Sequence, residues 1–473
     1  MTDYDVVIVG AGGAGLSAAV SAAEAGARTL VFESEREVGG SMSQSAGMFT
    51  AAGTSVQRSL GVEDDAGKFF QHYMDLNQWR LRPGLIRRFC EQSAPTFQWL
   101  LGLGLRVPAR RSTSAHLPGL TRAGVEDTWR GHVPEGEGSG LVAVLDAARR
   151  ARGAEVVLAS RVQGLLADAD GVHGVRVDDT DVRAGAVIIT SGGMAQNREL
   201  AERYYPDVLA AGPDLFAVSG AGSRGDHVRF AEQAGADMVG AGWGMLLLTA
   251  YFQRHHHWQA GFPPPARVTV DAAGRRVMDE DASYAVGAGI AADQRHPLWM
   301  VFDEAARSAL APGYIAWTPD AVAAEARSGR TICRTTLDEL ASAMPVPGAT
   351  LRETIGRWNS ELPVTGVDPE FERHLTLAAK GVDPHLSPIG TPPYYAVRIV
   401  PGELVVTHYG MRIGPDAAVL DPAGAPIGGL LAAGEAGGGI LGPRYVGGGN
   451  AISNAITLGR IAGQSAARHA ETR

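Results

Sequence analysis

The chain reads as an α/β protein, a largely parallel sheet interrupted by an inserted α+β body, and three observations predict this. The opening "YDVVIVGAGGAGLSAAVSAAEAGARTLVFES" runs as strand, glycine turn, helix and strand. Strand patterns return at "AVIITSGG" and again near the end at "GGLLAAGE". Between the last two, from Trp243 to Val397, the pattern turns to Pro-rich and helical stretches such as "FPPPARV", "LDELASAM" and "LRETIGRWNSEL". At 473 residues the chain also exceeds one core of ordinary size, so two or three lobes are expected.

The first element carries chemistry. A buried strand, Val6 to Val9, leads into Gly10, Gly12 and Gly15 at G-x-G-x-x-G spacing, then an Ala-rich helix and a second strand ending on Glu33. Gly10 permits the tight turn, Gly12 lets a pyrophosphate approach the backbone, and Gly15 packs the helix against the strand. The helix N-terminus offers N–H donors and its dipole to phosphates, and Glu33 is spaced to accept from a ribose hydroxyl. Strand, glycines, helix, strand and acid in register make this a Rossmann-like dinucleotide site. The continuation "EREVGGSMSQSAGMFTAAGT" is similar to the flavin-approach segment of FAD enzymes, which favours FAD over NAD.

The middle elements are read in turn. "EVVLASRVQGLLADADGVHGVRVDDTDVRAGAVIITSGGMAQNREL" predicts short strands with a hairpin at Asp170-Gly171, then a buried strand entering a helix. A second G-x-G-x-x-G, at Gly220, Gly222 and Gly225, follows only a weak strand and has no acid-ended strand after it. It is read as a loop capping a helix from Asp226 rather than as a second nucleotide site. The expected division is 1–242 for the first part of the cofactor domain, 243–397 for a capping or substrate domain, and 398–473 for the second part of the cofactor domain. The close, "RYVGGGNAISNAITLGRIAG", predicts a helix from about Asn450 behind a glycine run.

Composition excludes several classes. A hydrophobic content of 45% describes a packed globular chain, and a net charge of −9 without a Lys/Arg run argues against nucleic acid or anionic membrane partners. Cys90 and Cys333 stand far apart and outside any CxxC or CxxCH setting, so iron–sulfur, zinc and attached haem are unsupported. Sparse cysteine fits a reducing cytosol, no basic leader precedes the first strand, and the apolar windows are too short to span a bilayer. A cytoplasmic protein is expected. "RHHHW" does not predict a metal site, because three consecutive histidines cannot all face one ion and no acid is spaced to help. A lid surface is expected there, with one His as a candidate proton carrier; Trp243, Tyr251, Phe252, Trp258 and Phe262 line a pocket or form lid core. His132 is read as capping a helix from Leu141, and Tyr394 and Tyr395 as packing at a crossing stiffened by Pro392 and Pro393.

Taken together, "VIVGAGGAGLSAA", "VGGSMSQSAG", "VIITSGGMAQNREL", "GRRVMDE", "TPPYYAV", "PIGGLLAAGEAGGG" and "GGGNAISNAITLGRIAG" resemble the fumarate reductase and 3-ketosteroid dehydrogenase flavoprotein superfamily, over nearly the whole chain. The resemblance implies a glutathione-reductase-type FAD domain, a capping domain between its halves, and reaction at flavin N5. It places FAD-binding positions at Gly10, Gly12, Gly13, Ala14 and Gly15, at Glu33 and Ser34, and at Gly40, Ser41, Ser45, Ala46 and Gly47. Further positions are Val162, Ser191, Gly192, Gly193, Asn197, Gly225 and Asp226, then Gly434, Glu435, Asn450, Ala451 and Ile452. The helix from Asn450 is expected to aim its N–H groups at the flavin O2 edge, with the glycines letting the chain pass close to the ring. No histidine stands near Ser41 to Ser43, so the resemblance implies non-covalent FAD.

Within the superfamily, fumarate-reducing members carry an Arg after the "G-x-R-x-x-x-E" segment, where this chain has Tyr284. Their closing Arg falls on Val446 and their substrate-binding His on Val406; Arg444 and His408 are the nearest substitutes. Ketosteroid Δ1-dehydrogenases instead place a Tyr after that segment and "Tyr-x-Gly-x-Gly" in the closing loop, matching Tyr284 and Tyr445, Gly447, Gly449. The resemblance thus implies Tyr284 as base, with Tyr445 and the Gly449 N–H holding a ketone. Removing a hydrogen pair beside a carbonyl needs a base, an oxyanion stabiliser and a hydride acceptor. The expected activity is desaturation of a ketosteroid-like or other apolar cyclic ketone. The alternatives are fumarate-reductase-like reduction of an unsaturated carboxylate or enone using Arg444, and a flavin-binding protein without catalysis. A small-molecule substrate and an external electron acceptor or donor (a quinone, a carrier protein or oxygen) are the expected partners.

Overall fold

The computed structural model describes residues 2–112, 117–122, 126–292, 294 and 297–472, with the side chain of 292 left aside. They form two compact units. The first comprises Met1–Pro206, Ala217–Met245 and Val405–Arg473, and the second Asp207–Phe216 and Leu246–Leu404.

The first unit is built on the strands β1 (Tyr4–Val9), β2 (Thr29–Phe32), β3 (Glu155–Val157), β4 (Val162–Asp168), β5 (Gly171–Val177), β6 (Thr180–Ile189), β7 (Ala418–Leu420) and β8 (Pro426–Ala432). Their order is β7-β8-β6-β1-β2-β3, with the hairpin β4–β5 attached through β5 to the early part of β6. The centre is parallel, with Val6 opposite both Ala186 and Thr29, and Ile8 opposite Ile188 and Val31. Both faces of β1 are covered, so Val6, Val7 and Ile8 are buried as a continuous apolar run rather than alternating.

Helices α1 (Gly13–Glu24), α2 (Asp226–Ala234) and α3 (Asn450–Glu471) belong to the same unit. α1 and α3 pack closely because α3 presents Gly459 and Gly463, one turn apart, to α1. A Cβ on either would lie 2.3 Å from the carbonyl oxygens of Ala14 and Ala18 respectively. Ser17 Oγ completes the seam by donating to the Ile456 carbonyl at 2.7 Å. The C-terminal helix is therefore part of the core on which the opening β1–α1 turn rests.

Two local expectations change. The helix predicted from Leu141 spans Glu137–Ala151. His132 does not cap it: it lies in the short strand Gly131–Val133, fully buried, 2.8 Å from Thr54 Oγ1 and from the Arg130 carbonyl.

In the second unit the strand Tyr394–Thr407 pairs antiparallel with Leu298–Asp303, which pairs in turn with Val268–Val270. Helices Leu337–Ala343 and Gly348–Ser360 cover part of this sheet around Val268, Val301, Leu351, Ile355 and Trp358. Tyr395 stacks on Phe302 at an interplanar angle of 11° and donates to Glu304. A buried ion network pins the connections. Arg276 holds Glu280 and Asp368 at 2.7 Å each, and Arg373 reaches Glu280 at 3.0 Å and Asp281 at 2.6 Å. The "G-x-R-x-x-x-E" segment thus has a structural role through Arg276 and Glu280. Among the described residues no helix is long and apolar enough to cross a membrane.

Candidate functional site

A cleft of about 980 Å³ lies at the C-terminal ends of β1 and β6, where the strand order departs in opposite directions from the centre of the sheet. In open α/β sheets this is where dinucleotides bind. Its floor is the first turn: Gly10, Gly12, Gly13 and Ala14, with Glu33 and Ser34 from the end of β2. Gly40, Ser41, Val162, Ser191, Gly192, Asp226, Gly434, Glu435, Ala451 and Ile452 complete the sixteen expected positions that line it.

The glycines divide by task. A Cβ at Gly15 would sit 1.8 Å from the Gly10 carbonyl oxygen, so the residue is required by the turn packing on its own helix. A Cβ at Gly12 would meet no protein atom closer than 3.9 Å and would instead occupy the cleft. That open space at a helix N-terminus is the geometry a pyrophosphate needs. Ser191 Oγ, on the cleft wall, is buried with no hydrogen-bond partner among the described residues. Both observations fit a dinucleotide with polar groups to satisfy. Glu33, nearly buried, accepts from the Ala11 N–H at 2.6 Å and the Glu35 N–H at 3.0 Å, which fixes its carboxylate at the cleft edge.

Eight expected positions stand behind the wall. Gly15 is packed as described. Ser45 and Gly47 abut the helix Glu137–Ala151, where the Gly138 N–H donates to the Ser45 carbonyl at 3.0 Å, and Ala46 lies between them. Gly193 closes on Glu435, Asn197 caps the helix Arg198–Tyr204 through the Leu200 N–H, and Gly225 is the left-handed N-cap of α2. Asn450 is buried and donates from Nδ2 to Tyr73 Oη at 2.9 Å.

The structure also adds residues. The loop Gly220–Ser223, read from sequence as a helix-capping turn alone, walls the same cleft, with the Gly220 N–H donating to Ser41 Oγ at 3.0 Å. Arg161, paired to Asp226 at 2.9 Å, brings a cation to the wall. The signal for the loop was its second glycine pattern; Arg161 gave none, since isolated arginines are common on surfaces.

Glu435 is partly buried on the cleft wall and accepts from the Thr407 N–H at 2.9 Å and Thr407 Oγ1 at 3.3 Å. Burial pushes its carboxyl up to about 7, against the lowering effect of those donors.

The closing loop differs from expectation. A Cβ at Gly447 would meet the Glu126 carboxylate at 2.6 Å, and one at Gly449, where φ is +86°, would meet the Met48 carbonyl oxygen at 2.2 Å. The Gly448 N–H donates to Glu126 Oε1 at 2.6 Å. Close packing on protein neighbours therefore demands these glycines. Tyr445 Oη accepts from the Ala451 N–H at 2.9 Å, so the tyrosine caps α3 and takes one of the donors expected to face a ligand. Burial pushes its hydroxyl pKa up, which keeps it a neutral phenol with its own proton to donate. Arg444 is exposed and is engaged through its backbone N–H by Asn77 Oδ1 at 3.0 Å. Val446 and Val406 are buried apolar side chains. His408 is buried beside the Tyr445 ring, with Nδ1 2.8 Å from the Gly442 carbonyl, and burial lowers its pKa to about 4.

In the second unit Tyr284 opens the helix Tyr284–Ala292, half-buried, with its ring 6.0 Å from that of His257. The acid that sequence spacing did not reveal is Glu403, which meets both His256 and His257. Its oxygens are engaged by these imidazoles, by the His257 N–H and by Gln253, and the ligand atoms of His256, His257 and Glu403 lie within 4.8 Å of one another, so the acid that the sequence spacing lacked is present in the fold.

The fold and cleft define a dinucleotide-binding α/β protein. Residues 5–452 match the family model described as FAD binding domain, and the chain belongs to that family of FAD-dependent oxidoreductases. It is 30% identical to an NADH:fumarate oxidoreductase of Klebsiella pneumoniae over 99% of this chain, but spans only 48% of that relative. It is 30% identical to a probable fumarate reductase of Shewanella frigidimarina over 98% of this chain and 75% of the relative. A 4-oxocyclohexanecarboxylate 2-dehydrogenase of Sinomonas cyclohexanicum is 26% identical, over 99% of this chain and 93% of its own length. Among solved structures, the 3-ketosteroid Δ1-dehydrogenase of Sterolibacterium denitrificans shares the fold, with a TM-score of 0.81 at 20% identity over 99% of this chain and all of that one.

Proposed function

We propose that this chain is a dehydrogenase that removes hydrogen across a carbon–carbon bond beside the carbonyl of an apolar cyclic ketone. The observation that carries this is the Tyr445 hydroxyl, which accepts from the Ala451 N–H and so keeps its own proton for a carbonyl oxygen. A phenol that is itself hydrogen-bonded by a backbone N–H at a helix N-terminus is a polarised donor. Val406 and Val446 support the reading, because apolar side chains there leave no clamp for a substrate carboxylate. The relative that acts on 4-oxocyclohexanecarboxylate shows that a dehydrogenase named for a cyclic oxo compound stands among the chain's relatives.

In this reading non-covalently bound FAD supplies the hydride acceptor. Tyr284, as phenolate, takes the proton from the carbon beside the carbonyl, and Tyr445 with the Gly449 N–H stabilises the negative charge that develops on oxygen. The electrons leave to a quinone, a carrier protein or oxygen, and the protein works in the cytoplasm.

The test is anaerobic mixing with saturated 3-ketosteroids and substituted cyclohexanones while the flavin absorbance is followed. Bleaching is expected, and Tyr284→Phe should abolish it while the protein stays yellow. Relatives at 30% identity that are named for fumarate favour a second reading, reduction of an unsaturated carboxylate. Flavin that no ketone bleaches, but that is reoxidised by fumarate after chemical reduction, would replace the first reading with the second.

A further inference from the structure

Glu403 lies on the strand Tyr394–Thr407 of the second unit and is fully buried. Its two oxygens have different neighbours. Oε2 accepts from Gln253 Nε2 at 3.4 Å and is the nearer acceptor for the His257 N–H, at 3.2 Å. Oε1 faces two imidazoles, with His256 Nδ1 at 3.2 Å and His257 Nδ1 at 3.3 Å. Consecutive side chains can meet one partner here because the backbone changes form between them. His256 is non-helical, at φ −50° and ψ 136°, and His257 begins the short helix His257–Ala260. Their ring centroids stand 4.4 Å apart, with 47° between the planes. His255, the third histidine of the run, is exposed and lies outside this group.

We propose that His256, His257 and Glu403 bind one divalent transition-metal ion of the zinc class. Their ligand atoms all lie within 4.8 Å of one another. Bonds of about 2.0–2.1 Å at tetrahedral angles set neighbouring donors about 3.3 Å apart. The two contacts of Glu403 Oε1 already have that length. The third edge runs between the imidazoles, and His257, with 28% of its side chain exposed, has room to turn and close it. Two imidazole nitrogens and one carboxylate oxygen suit zinc, whereas calcium and magnesium take oxygen donors. Three protein ligands leave the fourth position to water. Gln253 orients the carboxylate through Nε2, and its own amide is fixed because Oε1 accepts from Trp317 Nε1 at 3.3 Å. The ion fastens the histidine segment to a strand 146 positions away and changes no oxidation state. The site stands independently of the ketone reading.

In the experiment the FAD-loaded protein is stripped with EDTA, dialysed free of chelator, and titrated with Zn²⁺ by calorimetry and with Co²⁺ by visible absorption beyond the flavin band. One Zn²⁺ per chain is expected, with a Kd of about 1 µM or below, and Co²⁺ should show the bands of a tetrahedral nitrogen–oxygen site. His257→Gln and Glu403→Gln should each weaken binding at least about 100-fold, and His255→Gln should leave it in place. Zinc should also raise the melting midpoint of wild type and of His255→Gln, but not that of the other two variants. A cluster held by hydrogen bonds alone takes up no zinc, and that result overturns the proposal. Uptake that survives undiminished in His257→Gln overturns it too, because the ion then sits elsewhere. Should Glu403→Gln fail to fold, His257→Gln decides alone, since its side chain is partly exposed. No substrate enters these measurements, so ketone turnover can fail and leave the metal assignment standing, and the reverse.

Discussion

Replacing Glu435 with Gln should stabilise the FAD-free protein at alkaline pH and leave it unchanged in acid. The carboxyl is only partly exposed on the cleft wall, and its desolvation is the largest influence on it, outweighing the Thr407 donors and moving it from the ordinary 4.5 to about 7. In the folded chain the group therefore binds its proton more tightly than in the unfolded chain. Between about pH 4.5 and 7 the folded state carries the extra proton, so stability falls as pH rises through that window and stays lowered above it. The displacement of 7 − 4.5 = 2.5 units corresponds to about 3 kcal/mol at pH 8, an upper figure because the side chain keeps some contact with water.

The amide introduced by Glu435→Gln would keep the shape of the neutral acid and can still accept from the Thr407 N–H, which now stands 2.9 Å from Oε1. The assay is denaturant unfolding of FAD-free wild type and Glu435→Gln at pH 5 and pH 8. The variant should gain about 2–3 kcal/mol at pH 8 and under about 1 kcal/mol at pH 5. With FAD present the alkaline gap should shrink if a cofactor hydroxyl donates to the carboxylate, because such a bond favours the charged form. A variant no more stable than wild type at pH 8, or a gap independent of pH, would refute the reasoning.

Three further outcomes follow from the same geometry. His132, His227 and His408 are each lowered by burial to about 4, so they enter the folded state neutral. Their contribution is complete above pH 6.5 and is lost as pH falls towards 4; acid unfolding in that window should take up close to three protons more than carboxylates explain, and His132→Gln should remove about one. Gly15→Ala drives a Cβ to 1.8 Å from the Gly10 carbonyl and should cost at least about 3 kcal/mol with loss of bound FAD, read from the flavin-to-protein absorbance ratio. Gly356→Ala, in a helix with nothing within 4 Å of the new methyl, is the control and should be neutral or stabilising. Tyr445→Phe leaves the Ala451 N–H at the start of α3 without its acceptor and should lower stability by about 1–2 kcal/mol, a loss that thermal melting reports independently of any substrate.

What sequence made legible, and what it hid, divides along the range of the interactions. The β1–α1–β2 unit was readable because each glycine answers to a neighbour a few positions away, as Gly15 does to Gly10. The helix at Asn450 was readable for the same reason, since Gly449 adopts the left-handed backbone that precedes it. Glu403 was not, because it reaches His257 across 146 positions and a pairing of that length leaves no local pattern. The wall made by Gly220–Ser223 stayed hidden although its motif was visible; the missing fact was that Ser41, 179 positions earlier, fixes it through the Gly220 N–H.

The closing loop gives the sharper lesson, because its glycines answer to protein neighbours far away in sequence. Three adjacent glycines before a helix suggested a chain pressed against a flat ring. The structure presses Gly447 on Glu126 and Gly449 on Met48, and ties Gly448 at both ends, through its N–H to Glu126 and its carbonyl to Thr50 Oγ1. A loop held on every side by protein is preorganised, and preorganisation is what an oxyanion-stabilising group requires of its support. Tyr445 gains most from it. Its ring stands beside buried His408, its oxygen is pinned by the Ala451 N–H, and the remaining freedom of the side chain is the direction of one O–H bond. An arginine in the same loop, Arg444, is exposed. The contrast between a fixed phenol and an exposed arginine, two adjacent residues in one loop, is the ground on which we propose a carbonyl rather than a carboxylate as the group this loop addresses.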